Sequence, residues 1–281
     1  MKSKITGGDT RLLFETTVLN KYVVRYYQCV ETGFIQTEEP YWLGEAYASA
    51  ITDLDVGLVW RNLSLANNLT KFLYRNFNSK GVFLDYAGGY GLFTRLMRDR
   101  GFNFYTTDKY CDNLFAKHFD LADVKGTEQF TALTAFEVLE HLVDPIGFMR
   151  EIVDFSNNII FTTELIPEKP IDSCDDWWYF SPQTGQHVAF YTQESLRVLG
   201  NMFGLYYYTD SESLKNYGLN LHLFSKTKFE QNPFFEKKEP FIIRKARKLV
   251  SRFDKRLVTL ESLTMQDHDM IKDMLNKPNI T

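Results

Sequence analysis

The chain has 281 residues, 44% hydrophobic and 24% charged, which excludes disorder, collagen or coiled coil as a description of the whole and leaves ample length for a core without staples. Its net charge of −4 gives no electrostatic case for a nucleic-acid partner. Three cysteines, Cys29, Cys111 and Cys174, form no C-x-x-C pair, the opening MKSKITGGDT lacks an apolar leader, and no apolar run is long enough to span a membrane, so a cytoplasmic protein is expected.

Residues 1–80 read as a mostly helical cap, with a short strand at 23–28, a helical stretch around 45–52 and a longer helix over 58–77. Residues 81–228 alternate strand and helix signals and predict an α/β domain with a parallel sheet wrapped by helices. Strands are expected at 81–84, 102–107, 130–136 and 158–163. Helices are expected at 92–100, 145–155 and 192–203, the last with Thr192 as its cap, and 205–209 and 219–226 close the sheet. The tail, 229–281, holds a basic amphipathic segment. Between Arg244 and Arg256 seven Lys/Arg stand against one acid, with apolar residues at helical spacing. Such a helix docks on its own protein with a solvated basic face, or makes weak contact with an anionic membrane surface.

The most informative segment is Leu84-Asp85-Tyr86-Ala87-Gly88-Gly89-Tyr90-Gly91-Leu92-Phe93, a strand-to-helix turn of small residues where backbone can approach a ligand closely. Gly91-Leu92-Phe93 lacks the G-K-[ST] of a phosphate loop, and Thr94 stands where a dinucleotide loop has its third Gly. Asp85 would repel a pyrophosphate but suits a cationic ligand such as S-adenosylmethionine. Asp108 ends the next strand, 17 positions after Gly91, where an acid can accept ribose hydroxyls.

Asp85–Gly91 and Asp108 resemble the first two motifs of class I S-adenosylmethionine-dependent methyltransferases, over roughly residues 81–225. The resemblance implies a Rossmann-like seven-stranded sheet with a final antiparallel strand. It also implies a cofactor site drawn from Asp85, Ala87, Gly88, Gly89, Gly91 and Asp108, with Phe136 and Glu137 beside it. Ala87 departs from the family's first glycine, and Phe119 and Asp120 are candidates to contact the adenine.

In Phe136-Glu137-Val138-Leu139-Glu140-His141, a helical turn would put Glu137, Glu140 and His141 on one face, poised for metal or proton chemistry. Glu137–Pro145 resembles the E-x-x-E-H segment of ubiquinone-pathway and small-RNA 2′-O-methyltransferases. That likeness implies a divalent metal held by Glu137, Glu140, His141 and a distal His, for which His187 stands 46 residues on. Without metal, these side chains line the cofactor pocket, and His187 or His141 serves as general base.

The connection 164–191 carries Trp177-Trp178-Tyr179-Phe180, whose rings either stack on a planar substrate group or plug the loop onto the domain. In the front segment, Tyr41, Trp42, Asp55 and Arg61 either lid the site or belong to a packed cap. This segment resembles the N-terminal part of methyltransferases of bacterial glycan biosynthesis, some of which carry a cysteine-rich zinc module. Cys29-Val-Glu-Thr32-Gly33 keeps one cysteine of a C-x-x-C, so no zinc knuckle is expected. Tyr41, Trp42, Arg61, Trp177 and Trp178 are thus the substrate candidates. The expected function is methyl transfer to a sugar or glycan hydroxyl. Methylation of a phenol or RNA ribose, or a cofactor-binding domain without catalysis, are the alternatives.

Overall fold

Alternating strand and helix signals in the middle of the chain fold as a parallel sheet with helices on both faces. The structure is a computed structural model that describes residues 1–48, 54–126, 129–210, 220–235 and 260–276. Its main sheet uses β4 (Val82–Tyr86), β5 (Asn103–Thr107), β6 (Ala132–Ala135), β7 (Asn158–Thr162), β9 (Tyr206–Thr209) and β10 (Leu221–Ser225), in the order β5-β4-β6-β7-β10-β9. The first four are parallel, and β10 runs antiparallel to both neighbours. Among the described residues this sheet has six strands, not seven. Beyond β5, on the sheet's edge, the described residues add a single parallel bridge, Thr106 to Asp120. Asp120 and Asp123 cap each other in a 3-10 turn there, which ends the extended run.

One face of the sheet is covered by α2 (Leu58–Asn76) and α3 (Leu92–Arg98). Leu65, Leu69, Phe72 and Leu73 of α2 fall at helical spacing and bury against Phe83, Phe104 and Leu223 of the strands. The other face carries α4 (Pro145–Ile152) and α5 (Gln193–Met202), whose Met149, Ile152, Leu196 and Leu199 pack on Leu133, Ile159 and Phe224. Asp144 caps α4 through the Gly147 amide, and Thr192 caps α5 through the Ser195 amide.

The mostly helical front cap is corrected. Its first part is an antiparallel sheet of β1 (Thr10–Val18), β2 (Tyr22–Cys29), β3 (Ile35–Thr37) and the short β8 (Ala189–Phe190), followed by one helical turn, α1 (Leu43–Ala46). Hydrophobic period hid β1, because the register shifts between Leu12 and Phe14 and breaks the alternation. The hairpin turn also lacks glycine, with Leu19 and Asn20 themselves at positive φ. The inner face of this sheet buries Phe14, Val24, Tyr26 and Ile35 against Trp42, Trp177, Phe180 and Phe190.

In the tail, α6 (Thr264–Asn276) docks beside α3, while the basic segment 244–256 and its membrane reading lie outside the described residues. No helix of the described residues is long and apolar enough to cross a membrane.

Candidate active site

The glycine loop turns from β4 into α3 because its backbone cannot tolerate ordinary side chains. A Cβ on Gly88 would lie 2.5 Å from Asp85 Oδ2, and Gly91 sits at φ +79° with Asn113 against it. Ala87 adopts φ +56°, a left-handed conformation that costs an alanine about 1 kcal/mol and is held here by the surrounding loop. Asp108 ties the loop down. Its carboxylate accepts from the amides of Gly89 (2.9 Å), Tyr110 (2.7 Å) and Cys111 (2.9 Å).

Asp85 lies beneath the loop rather than in the cavity wall. It is buried and accepts from the hydroxyls of Thr134 (2.7 Å) and Thr94 (3.4 Å). Burial pushes its pKa up to about 7, against those two hydroxyls and with help from the Asp108 charge. The folded pKa then exceeds the unfolded value of about 3.9, so this stability is fully present below pH ~4 and lost as pH rises through 7. The ligand-free protein should therefore lose on the order of 3 kcal/mol between pH 5 and 8.5 from this group. Urea unfolding across that range should show Asp85→Asn with a flatter profile and the higher midpoint at pH 8. Parallel profiles for the two proteins would refute this account of Asp85.

A cavity of about 1040 Å³ opens above the loop. Ala87, Gly89 and Asp108 meet there with Glu137, His141 and His187, and with Trp60, Arg61, Tyr110 and Trp178. A second hollow, about 1300 Å³, lies between β1–β2 and the 164–172 loop and contains none of the glycine-loop residues. The main cavity sits at the carboxyl ends of the parallel strands, where open α/β sheets bind ligands.

The expectation that Glu137, Glu140 and His141 share one helical face is corrected: Glu137 lies outside the helical turn. Glu137 takes φ +54°, donates its amide to Thr162 Oγ1 (2.8 Å) and accepts the same hydroxyl on Oε1 (2.7 Å), with Arg61 Nε at 3.9 Å. Burial, then the Glu140 charge, pushes its pKa up to about 7, while Arg61 opposes. Leu139–His141 forms a separate 3-10 turn that holds Glu140 and His141.

Glu140, His141 and His187 each offer a ligand atom within 4.8 Å of the others, and the structure does not bring Glu137 into this group. The two imidazoles stand edge to face with centroids 4.9 Å apart. His187 Nδ1 lies 2.7 Å from the Tyr179 carbonyl, and His141 Nδ1 lies 3.2 Å from the Gln186 carbonyl and 2.9 Å from the Tyr47 hydroxyl. Burial lowers both pKa values, to about 3 for His141, where the neighbouring His187 adds to the effect. Both rings are therefore neutral at pH 7, and a proton on Nδ1 leaves Nε2 as the free acceptor. Glu140 is fully buried, and burial pushes its pKa up to about 7. Tyr179 and Thr163 hydroxyls are its polar neighbours, yet neither carboxylate oxygen has a hydrogen bond of proper geometry.

Several substrate candidates stand elsewhere. Trp42 is buried in the front core and donates Nε1–H to the Gly185 carbonyl (2.8 Å). Trp177 is buried in the same core, so that part of the aromatic run plugs the loop onto the domain. Tyr41 is exposed, donates to the Val23 carbonyl and is not in the cavity wall. Phe136 packs on Phe93 inside the sheet's helical face. Phe119 is buried beneath the Arg98 guanidinium, 3.6 Å from its ring centroid, and Asp120 caps its turn, so neither adenine candidate reaches the cavity. Arg61 and Trp178 do line it, Trp178 with 72% exposure. Sequence reading missed Tyr47 and Tyr110, whose rings stack at 5.7 Å over the cavity. Tyr110, two residues past the strand-ending Asp108, carried the better signal.

Among solved structures, the chain resembles CalO1, a methyltransferase in calicheamicin biosynthesis, at 14% identity and TM-score 0.40, covering 67% of this chain and 60% of that one. It also resembles the 1,6-didemethyltoxoflavin-N1-methyltransferase of Burkholderia thailandensis at 12% identity and TM-score 0.48, covering 72% and 93%. Human N-acetylserotonin methyltransferase matches at 12% identity and TM-score 0.41, covering 60% and 56%. The chain spans about three fifths of the length of CalO1. No curated protein matches it. Residues 59–209, more than half of the chain, match the methyltransferase domain family, and the chain belongs to that family.

Proposed function

We propose that the protein transfers the methyl group of S-adenosylmethionine to a hydroxyl of a sugar or glycan. The observation that carries this reading is one cavity holding both the fastened glycine loop with Asp108 and two neutral histidines. When bound, S-adenosylmethionine supplies an electrophilic methyl on a cationic sulfur. Ala87, Gly89 and Asp108 border its place, and Asp108, already fixed by three amides, has one lone-pair site left to accept a hydroxyl. His187 Nε2 takes the proton as the acceptor oxygen attacks the methyl carbon and the sulfur–methyl bond breaks, and the stacked Tyr47 and Tyr110 border the reacting groups.

Trp178, 72% exposed in the cavity wall, is the ring placed to meet a sugar. Among the described lining residues Arg61 is the one Lys or Arg, and it is paired with Asp55 at 2.9 Å. That pairing speaks against an RNA ribose, whose backbone asks for several cations. Incubation with S-adenosylmethionine and a panel of nucleotide sugars, glycosides and phenols, read by mass spectrometry, should give a methylated product with a sugar acceptor. Methylation of the phenols alone would overturn the sugar assignment.

One observation favours a metal-assisted version. Both oxygens of Glu140 are buried and unpartnered beside two histidines whose Nδ1 atoms rest on backbone carbonyls, the outer arrangement of metal-bound imidazole. Such residues fit a divalent ion, and mixed nitrogen and oxygen donors suit Zn, Mn or Fe. Glu140, His141 and His187 would hold it, and it would polarise the acceptor hydroxyl as a Lewis acid.

A further inference from the structure

The start of the chain and the β2–β3 turn are two copies of one loop. In the first, Ser3 donates its amide to the Gly8 carbonyl (2.9 Å) and accepts the Gly7 amide on its own carbonyl (2.9 Å). In the second, Cys29 donates to the Phe34 carbonyl (2.8 Å) and accepts the Gly33 amide (3.0 Å). The fourth residue is Thr6 in one and Thr32 in the other, and its hydroxyl accepts the amide two residues on, from Gly8 (3.0 Å) and Phe34 (3.4 Å). Gly7 and Gly33 close the loops at φ +71° and +72°. The side chains at the first and fourth positions turn toward one another. Thr6 Oγ1 lies 3.7 Å from Cys29 Sγ, and the hydroxyls of Thr32 and Ser3 are polar neighbours of that sulfur. Cys29, Ser3 and Thr32 are buried.

Two x-x-spaced loops that aim four heteroatoms at one point are the frame of a four-ligand metal knuckle. Here three corners are hydroxyls and one is a thiol, a set that gives a thiophilic ion too few anionic donors. Burial pushes the thiol pKa up, but the neighbouring Thr32, Ser3 and Thr6 hydroxyls and the Thr32 amide outweigh it and bring it to about 7.

We infer that Ser3, Thr6, Cys29 and Thr32 form a metal-free knuckle pair, in which the Thr6–Cys29 contact and the packed Ser3 and Thr32 hydroxyls join the two loops that a metal would otherwise join. The cluster fastens the chain start to the turn whose Thr32 carbonyl accepts the Thr192 hydroxyl at the head of α5 (2.6 Å). It follows that the frame lacks only thiols to become a tetrahedral metal site.

Cobalt(II) titration of the full chain carrying Ser3→Cys, Thr6→Cys and Thr32→Cys tests this. The variant should bind one cobalt with thiolate-to-metal absorption and tetrahedral visible bands, and zinc should displace it and raise the melting temperature. The native chain should show no thiolate-to-metal band, a signature that a Glu140–His141–His187 site cannot produce. A folded triple variant without that band, or a native chain with it, would overturn the inference. Should the triple variant not fold, urea unfolding of the native frame decides. Thr6→Val and Cys29→Ala together should then lose less midpoint than the sum of the single changes, and strictly additive losses would refute the shared cluster.

Discussion

His187→Ala should lower turnover by about 10²–10⁴ while leaving S-adenosylmethionine affinity nearly unchanged. The cofactor's expected partners, Gly89 and Asp108, are fastened by bonds that do not involve His187. The imidazole lies 2.7 Å from the Tyr179 carbonyl, is neutral at pH 7 and stands in the cavity wall, the state the proposed base requires. Measured in the same variant, metal content separates two roles. A base alone leaves metal content as in the native protein, whereas a ligand takes metal and turnover down together. Full activity of His187→Ala on a confirmed acceptor would reduce His187 to a structural role and leave His141 as the candidate.

Asp267→Ala should cost about 3–5 kcal/mol of stability. Arg98 and Asp267 are almost fully buried, and the guanidinium holds both carboxylate oxygens, Nη2 to Oδ1 at 2.7 Å and Nε to Oδ2 at 2.9 Å. Arg95 adds a third contact at 2.9 Å. Removing the carboxylate strands the buried Arg98 charge against Phe119, with Asn103 and the Phe104 carbonyl as its remaining acceptors among the described residues. It also releases the strongest tie of α6 to the domain. Asp269→Ala, on the exposed side of the same helix, should stay within about 0.5 kcal/mol. Equal urea midpoints for the two variants would contradict the role given to Asp267.

The middle of the chain was legible because its signals are local. Apolar runs ending in Asp85 and Asp108, a glycine-rich turn and the capped α5 each sit in a few consecutive residues. The front sheet was not, since the bulge between Leu12 and Phe14 erases the alternation and β8 joins from 150 residues away. Within the site, the E-x-x-E-H run announced titratable chemistry, but the left-handed φ of Glu137 that splits the carboxylates is set by Thr162 on another strand. Trp42 and Trp177 look the same in sequence whether they stack on a ligand or fill a core. Only the packing of the front sheet decides for the core.

Calorimetric titration of S-adenosylmethionine into the native chain and into Asp108→Ala tests the central claim most directly. Saturable one-to-one binding by the native chain is expected, weakened in Asp108→Ala by about 1–3 kcal/mol, roughly five- to 150-fold, with no binding of NAD. No binding by the native chain, equal affinity in both proteins, or preference for NAD would contradict the assignment of the glycine loop and Asp108 to this cofactor.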